Sequence, residues 1–191
     1  MNQRNLLEVD WSKIPAPADD GAAAHLVGMT IPPVHLVATD DTSVTLSALP
    51  GRTVGFAYPR TGEPGKIALV DDWDMIPGAR GCTPQTCAFR DLFADLRAAG
   101  ARQVFGLSTQ SNAYQTEMAS RLHLPFPVLS DEKLELTRAL GLPTMQVAGL
   151  TMIKRLALIV DSGRITRVFY PVFPPDRNAG DVLAWLKENP V

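Results

Sequence analysis

Between Pro50-Gly51 and Pro59 the chain runs Arg52-Thr53-Val54-Gly55-Phe56-Ala57-Tyr58. It is apolar at successive rather than alternate positions, so it reads as a strand buried on both faces and terminated by the proline. Such a strand belongs inside an open sheet covered on either side, which places the chain in the α/β class. A reactive group just past the carboxyl end of that strand stands where an open α/β sheet usually keeps its site.

The helical pattern that meets this requirement starts at the first of only two cysteines, in Gly81-Cys82-Thr83-Pro84-Gln85-Thr86-Cys87-Ala88-Phe89-Arg90-Asp91. Cys82 or Thr83 is the expected N-cap, and Pro84 suits the first turn. Phe89, Leu92, Phe93 and Leu96 recur at i, i+3, i+4 and i+7 and turn one stripe toward a core, before Gly100 ends the helix. A thiol at a helix start faces unpaired N–H groups and the positive end of the dipole, and both favour the thiolate. Arg80 adds cationic charge two residues upstream, so Cys82 is the better nucleophile of the pair.

Five residues of helical rise separate the two Cα atoms by about 7.5 Å along the axis. A disulfide tolerates roughly 7 Å. The sulfurs can join only if the helix start unwinds, which suits a transient, catalytic disulfide better than a structural staple. Inert buried thiols are the alternative reading. A thioredoxin-type motif has two intervening residues where this chain has four, and two thiols without clustered histidines do not supply four metal ligands.

Gly81-Cys82-Thr83 followed by Cys87 and Phe89-Arg90-Asp91 resembles the peroxiredoxins of the bacterioferritin-comigratory, or Q, type. The resemblance continues in Phe56-Ala57-Tyr58-Pro59-Arg60-Thr61, in Leu124-Pro125-Phe126-Pro127-Val128-Leu129-Ser130-Asp131, and in the run from Arg155 through Asp161-Ser162-Gly163 to Ile165. These motifs stand in the family's order over residues 30–187. The resemblance implies a thioredoxin-like fold and a peroxidase that needs no metal or organic cofactor. It makes Cys82 the peroxidatic cysteine and Cys87 the resolving one, joined in an intramolecular disulfide during turnover. It makes Arg155 the arginine that favours the Cys82 thiolate and holds the peroxide oxygens. The expected reductant is thioredoxin or a glutaredoxin-like dithiol protein. One feature departs from the pattern: the family's Thr or Ser three residues before the peroxidatic cysteine is here Ala79. An insertion over residues 62–79 accounts for this, and Thr61 is the expected substitute hydroxyl.

The other periodicities fit a mixed central sheet flanked by helices. Residues 34–39, 44–46, 104–108 and 128–129 read as short strands, and residues 156–160 and 165–169 as a closing hairpin. Asn112 is the expected cap of a helix to Leu122, and Ser130 or Asp131 that of a helix over 132–140 ended by Gly141. Residues 143–154 carry no strong signal and read as a loop, while residues 181–188 form a last helix. Residues 1–27 read as a variable lead-in, and 28–191 as one domain. Asp71-Asp72-Trp73-Asp74 lacks the spacing of a calcium loop and reads as solvated loop charge, with Trp73 and Met75 packing the insertion over the site or at a subunit contact. His25, His35 and His123 are scattered and suggest no ligand set.

A net charge of −2 argues against nucleic-acid or membrane partners. The polar start Met1-Asn2-Gln3-Arg4-Asn5 lacks an apolar h-region, so a cytoplasmic protein is expected, as monomer or homodimer. A thiol–disulfide oxidoreductase or redox sensor on the same fold is the competing function.

Overall fold

The structure is a computed structural model and describes residues 9–191; the polar start at residues 1–5 lies outside the described residues. Among the described residues nine strands and five α-helices follow in order. They are β1 Leu36–Ala38, β2 Ser43–Val44, β3 Arg52–Ala57, α1 Cys82–Asp91, α2 Phe93–Ala98, β4 Gln103–Ser108, α3 Asn112–Arg121, β5 Val128–Ser130, α4 Glu135–Leu140, β6 Thr144–Val147, β7 Leu150–Ile153, β8 Leu156–Asp161, β9 Arg164–Phe169 and α5 Asn178–Glu188. Seven of the strands form one sheet in the order β2-β1-β5-β4-β3-β8-β9. The β3–β4 and β4–β5 pairs are parallel, as the intervening helices require, and the flanking pairs are antiparallel.

β3 lies inside the sheet, hydrogen-bonded to β4 on one side and β8 on the other, and its period of two feeds both cores. Val54, Phe56 and Tyr58 join Ala157 and Ile159 of β8 in a core closed by Phe89, Leu96, Met118 and the α5 residues Val182, Leu183 and Leu186. Ala57 joins Phe105, Leu107, Leu156, Leu158 and Val160 in the opposite core, closed by Leu136 and Leu140 of α4. Phe89 stacks on Phe56 with ring centroids 4.0 Å apart and planes 3° from parallel. That contact, between two side chains with no exposed surface, fixes α1 against the strand end at which the site is built. The stretch ahead of residue 28 contributes too: Ala23 and Leu26 are buried in the second core, and His25 Nε2 lies 2.9 Å from the Leu140 carbonyl oxygen.

Several expectations are corrected. The helix expected to run unbroken from Cys82 to Gly100 is divided at Leu92, whose φ and ψ of −96° and 9° interrupt the helical path. The N-cap of α1 is Gly81, not Cys82 or Thr83. α3 is capped by Ser111, whose hydroxyl accepts from Tyr114 N. The N-cap of α4 is Leu134, not Ser130 or Asp131, and the helix starts only at Glu135; the Asp131 carboxylate still accepts from the N–H groups of Leu136 and Thr137 at 3.1 and 2.7 Å. The last helix begins at Asn178. Residues 143–154 are not a loop. They hold the β6–β7 hairpin, turned by Ala148 and Gly149 at φ 50° and 77°, the left-handed pair that a two-residue hairpin needs.

Candidate active site

Cys82 is the first residue of α1, directly beyond the carboxyl end of β3, where the free N–H groups of the helix start surround it. It is buried, with 3% of its surface exposed, and its Sγ lies 3.6 Å from the Ala79 carbonyl oxygen. Arg155, which precedes β8, reaches across beneath the loop and donates from Nη2 to Cys82 Sγ at 3.2 Å. The same nitrogen contacts the carbonyl oxygens of Gly78, Ala79 and Arg80 at 3.2, 3.3 and 3.1 Å. Two backbone carbonyls from the end of the insertion and one just beyond it thus orient the guanidinium at the sulfur. Its Nε is buried without an acceptor.

The other arm of Arg155 is tied down by Gln85, whose Oε1 accepts from Nη1 at 2.5 Å. Gln85 in turn donates from Nε2 to Asn178 Oδ1 at 2.9 Å. Both amides are buried, and their bonds link β8, α1 and α5 into one unit behind the thiol. On the sheet side Tyr58 is fully buried and donates to Gln115 Oε1 at 2.9 Å. Burial first, and then the interaction with Cys82, holds its phenol well above the usual range, so it stays a neutral dipole.

Cys87 lies in the same unbroken helix, and both thiols are free. Burial pushes its thiol upward, and the Arg90 cation only partly opposes this. Thr86 donates its hydroxyl to the Cys82 carbonyl at 2.9 Å, reinforcing the turn between the two cysteines. Unwinding must break that bond together with the Gln85 anchors.

Thr61, which precedes the insertion, has its hydroxyl committed to Gln110. The Thr61 hydroxyl donates to Gln110 Oε1 at 3.1 Å, as does its N–H at 2.9 Å, and its carbonyl accepts from Tyr114 and Gln110. Trp73, by contrast, is buried against Ala79, Val147 and Met152, so residues 68–79 and the β6–β7 hairpin form a small core of their own beside the site. Met75 points outward. Among the described residues no group of three histidine, cysteine or acidic side chains is placed to hold a metal, and Asp74 lies 3.9 Å from Arg80. No helix among the described residues is long and apolar enough to cross a membrane.

Comparison with known proteins agrees with this geometry. A family model described as Redoxin matches residues 26–183. The chloroplastic peroxiredoxin Q of Sedum lineare is 30% identical over 162 residues, which cover 84% of this chain and 77% of that protein. Its counterpart from Oryza sativa subsp. japonica is also 30% identical, with 84% and 66% covered, so the chain spans just under two thirds of the rice relative's length. The crystal structure of peroxidoxin BcpB from Mycobacterium tuberculosis is similar with a TM-score of 0.67 at 25% identity, over 86% of this chain and 98% of that one. A structure of Xanthomonas campestris peroxiredoxin Q shares the fold with a TM-score of 0.65, at 22% identity and over 92% and 98% of the two chains. The sheet with its flanking helices is therefore thioredoxin-like, and the chain belongs to the redoxin family as a peroxiredoxin of the Q type.

Proposed function

We propose that the chain is a thiol peroxidase in which Cys82 reduces hydrogen peroxide or an organic hydroperoxide and Cys87 resolves the product. The Cys82 thiolate attacks the terminal peroxide oxygen. An S–O bond forms, the O–O bond breaks, and the departing hydroxide or alkoxide takes a proton to leave as water or alcohol, with sulfenic acid on Cys82. The observation that carries this reading is the 3.2 Å contact of Arg155 Nη2 with Cys82 Sγ, made by a guanidinium fixed on three carbonyls and a buried amide. Arg155 stabilises negative charge on sulfur, and its unspent Nε donor suits the oxygen that gains charge as the O–O bond breaks. Thr61 serves the loop through Gln110 rather than the sulfur.

Cys87 then attacks the sulfenic sulfur once the start of α1 unwinds. An S–S bond forms, the S–O bond breaks, and hydroxide leaves as water after protonation. A dithiol protein of the thioredoxin or glutaredoxin type returns two electrons by exchange through a mixed disulfide. One copy of the chain holds every group used, so a monomer or a homodimer serves equally well.

The test is rapid-quench mass spectrometry of the reduced protein mixed with one equivalent of peroxide. Sulfenic acid is expected on Cys82 first, trappable with dimedone, and the Cys82–Cys87 disulfide second. Cys87→Ser should consume one peroxide per chain at the wild-type rate and stop there. A sulfenic acid forming no faster than on a free thiol would favour the redox-sensor reading.

The disulfide step has its own pH signature. A raised thiol is neutral in the folded helix, and only its thiolate attacks, so the rate should climb as pH rises from neutrality and level off above the range of an ordinary thiol. The unwound chain ionises Cys87 earlier than the folded one does. The stability contributed by its buried neutral form is therefore complete below the ordinary thiol range and is lost as pH rises from that range through the raised folded value.

A further inference from the structure

We infer that Trp11, held by Asp176, is a positioning residue that sets the rate of disulfide formation by clamping the start of α1. This rests on the peroxidase reading above, because it concerns the unwinding that brings Cys87 to Cys82. Trp11 and Pro17 lie against the loop that leads into Cys82. Trp11 donates from Nε1 to Asp176 Oδ2 at 2.9 Å and meets Phe173 edge-on, with centroids 6.0 Å apart and planes at 78°. Its ring covers Gly81, the residue directly before Cys82. A Cβ on Gly81 would lie 2.6 Å from Trp11 Cη2 and 2.6 Å from Pro175 Cγ, so the N-cap is gripped from two sides with no room to spare. Gly81 is also at φ 104°, a conformation that only this packing and a glycine make comfortable.

The segment is fastened at two further points. Pro17 lies against Gly78, where a Cβ would meet its side chain at 3.6 Å. Asp20 accepts from Lys154 Nζ at 2.6 Å and from the Tyr170 hydroxyl at 2.7 Å, next to Arg155 in sequence. Trp11 touches neither cysteine in these contacts. It acts through Gly81: unwinding the first turn of α1 changes the backbone at Gly81, and the indole opposes that change. A slower unwinding leaves Cys82 sulfenic acid exposed to a second peroxide for longer, and that second oxidation gives sulfinic acid with loss of water or alcohol.

The test compares wild type, Trp11→Leu, Trp11→Phe and Asp176→Ala in rapid-quench mass spectrometry, with hydrogen exchange at the amides of residues 82–87. Losing an aromatic contact of this kind should speed the disulfide step about tenfold in Trp11→Leu, with Trp11→Phe closer to wild type because a ring still covers Gly81. First oxidation of Cys82 should stay within about twofold, and sulfinic acid at excess peroxide should fall; both expectations follow from the indole acting on unwinding alone. Exchange at residues 82–87 should quicken while that of α3 does not. An unchanged disulfide rate in folded Trp11→Leu, or an equal change in both chemical steps, would overturn the inference; if Trp11→Leu does not fold, Asp176→Ala, which removes the indole's acceptor, should speed the disulfide step, and an unchanged rate there overturns the inference instead. Should wild-type Cys82 fail to form sulfenic acid, the peroxidase reading fails by itself, and the exchange rates still report on the clamp.

Discussion

Cys82→Ser protein is expected to consume no peroxide above the uncatalysed background, in a coupled assay with thioredoxin and its reductase. A serine hydroxyl is scarcely ionised at neutral pH, and the two groups hydrogen-bonded to the sulfur, a carbonyl and a guanidinium, do not serve as a general base. The site is otherwise preserved, since serine is a good residue at a helix start and Arg155 keeps its anchors on Gln85 and the loop carbonyls. Cys87 does not substitute. It lies more than a turn along α1, and its buried thiol is held in the neutral form. Far-UV circular dichroism matching the wild type would establish that the loss is chemical. Appreciable turnover by this variant would put the reactive sulfur elsewhere and remove the basis of the mechanism.

The parts of this site that were legible in the sequence are those carried by local pattern or by motifs in fixed order. The apolar run 52–58 declared a strand buried on both faces, and β3 is that strand, flanked by β4 and β8. The stripe Phe89, Leu92, Phe93 and Leu96 declared the core face of the helix beyond Cys82. The break at Leu92 was hidden because that stripe continues across it. The β6–β7 hairpin was missed because its strands have four residues each and its turn is Ala148-Gly149, with alanine where asparagine or aspartate would signal the left-handed pair. Alternation of Met145, Val147, Leu150 and Met152 was the available clue. The anchors of Arg155 were beyond local reach. Gln85 joins Arg155 across 70 positions and Asn178 across 93, while Trp11 and Asp176 are 165 apart. No periodicity encodes such pairs; the fold brings them together.

The insertion illustrates the same limit. Thr61 is bonded to Gln110, and the position three residues before Cys82 is filled by Ala79, fully buried. What that position offers instead is its carbonyl oxygen, 3.6 Å from the thiol and 3.3 Å from Arg155 Nη2. Trp73 holds the segment in place from the small core shared with β6 and β7. A backbone group fixed by packing thus stands where a hydroxyl was expected. Arg155 is the charged donor hydrogen-bonded to the sulfur, and the chemistry is loaded onto it.

Arg155→Met should accordingly lower the rate constant for Cys82 oxidation by peroxide about 10²–10³-fold, the usual cost of deleting one preorganised donor at a developing negative charge. Methionine roughly fills the volume but leaves Gln85 Oε1 and the carbonyl oxygens of Gly78, Ala79 and Arg80 without their guanidinium. Leaving a buried acceptor such as Gln85 Oε1 unpaired costs about 1–3 kcal/mol, so a lower melting temperature should accompany the kinetic loss. Arg155→Lys separates the two effects. An ammonium restores the charge but not the planar fork, and it cannot serve Gln85, the carbonyls and the sulfur together. It should recover roughly tenfold of the loss and no more. The deciding comparison is between peroxide and iodoacetamide, which alkylates the same thiolate without an O–O bond to polarise. If Arg155 acts on the peroxide oxygen as well as on the sulfur, Arg155→Met loses far more of its rate toward peroxide than toward iodoacetamide. Equal losses toward both reagents would confine its role to the thiolate.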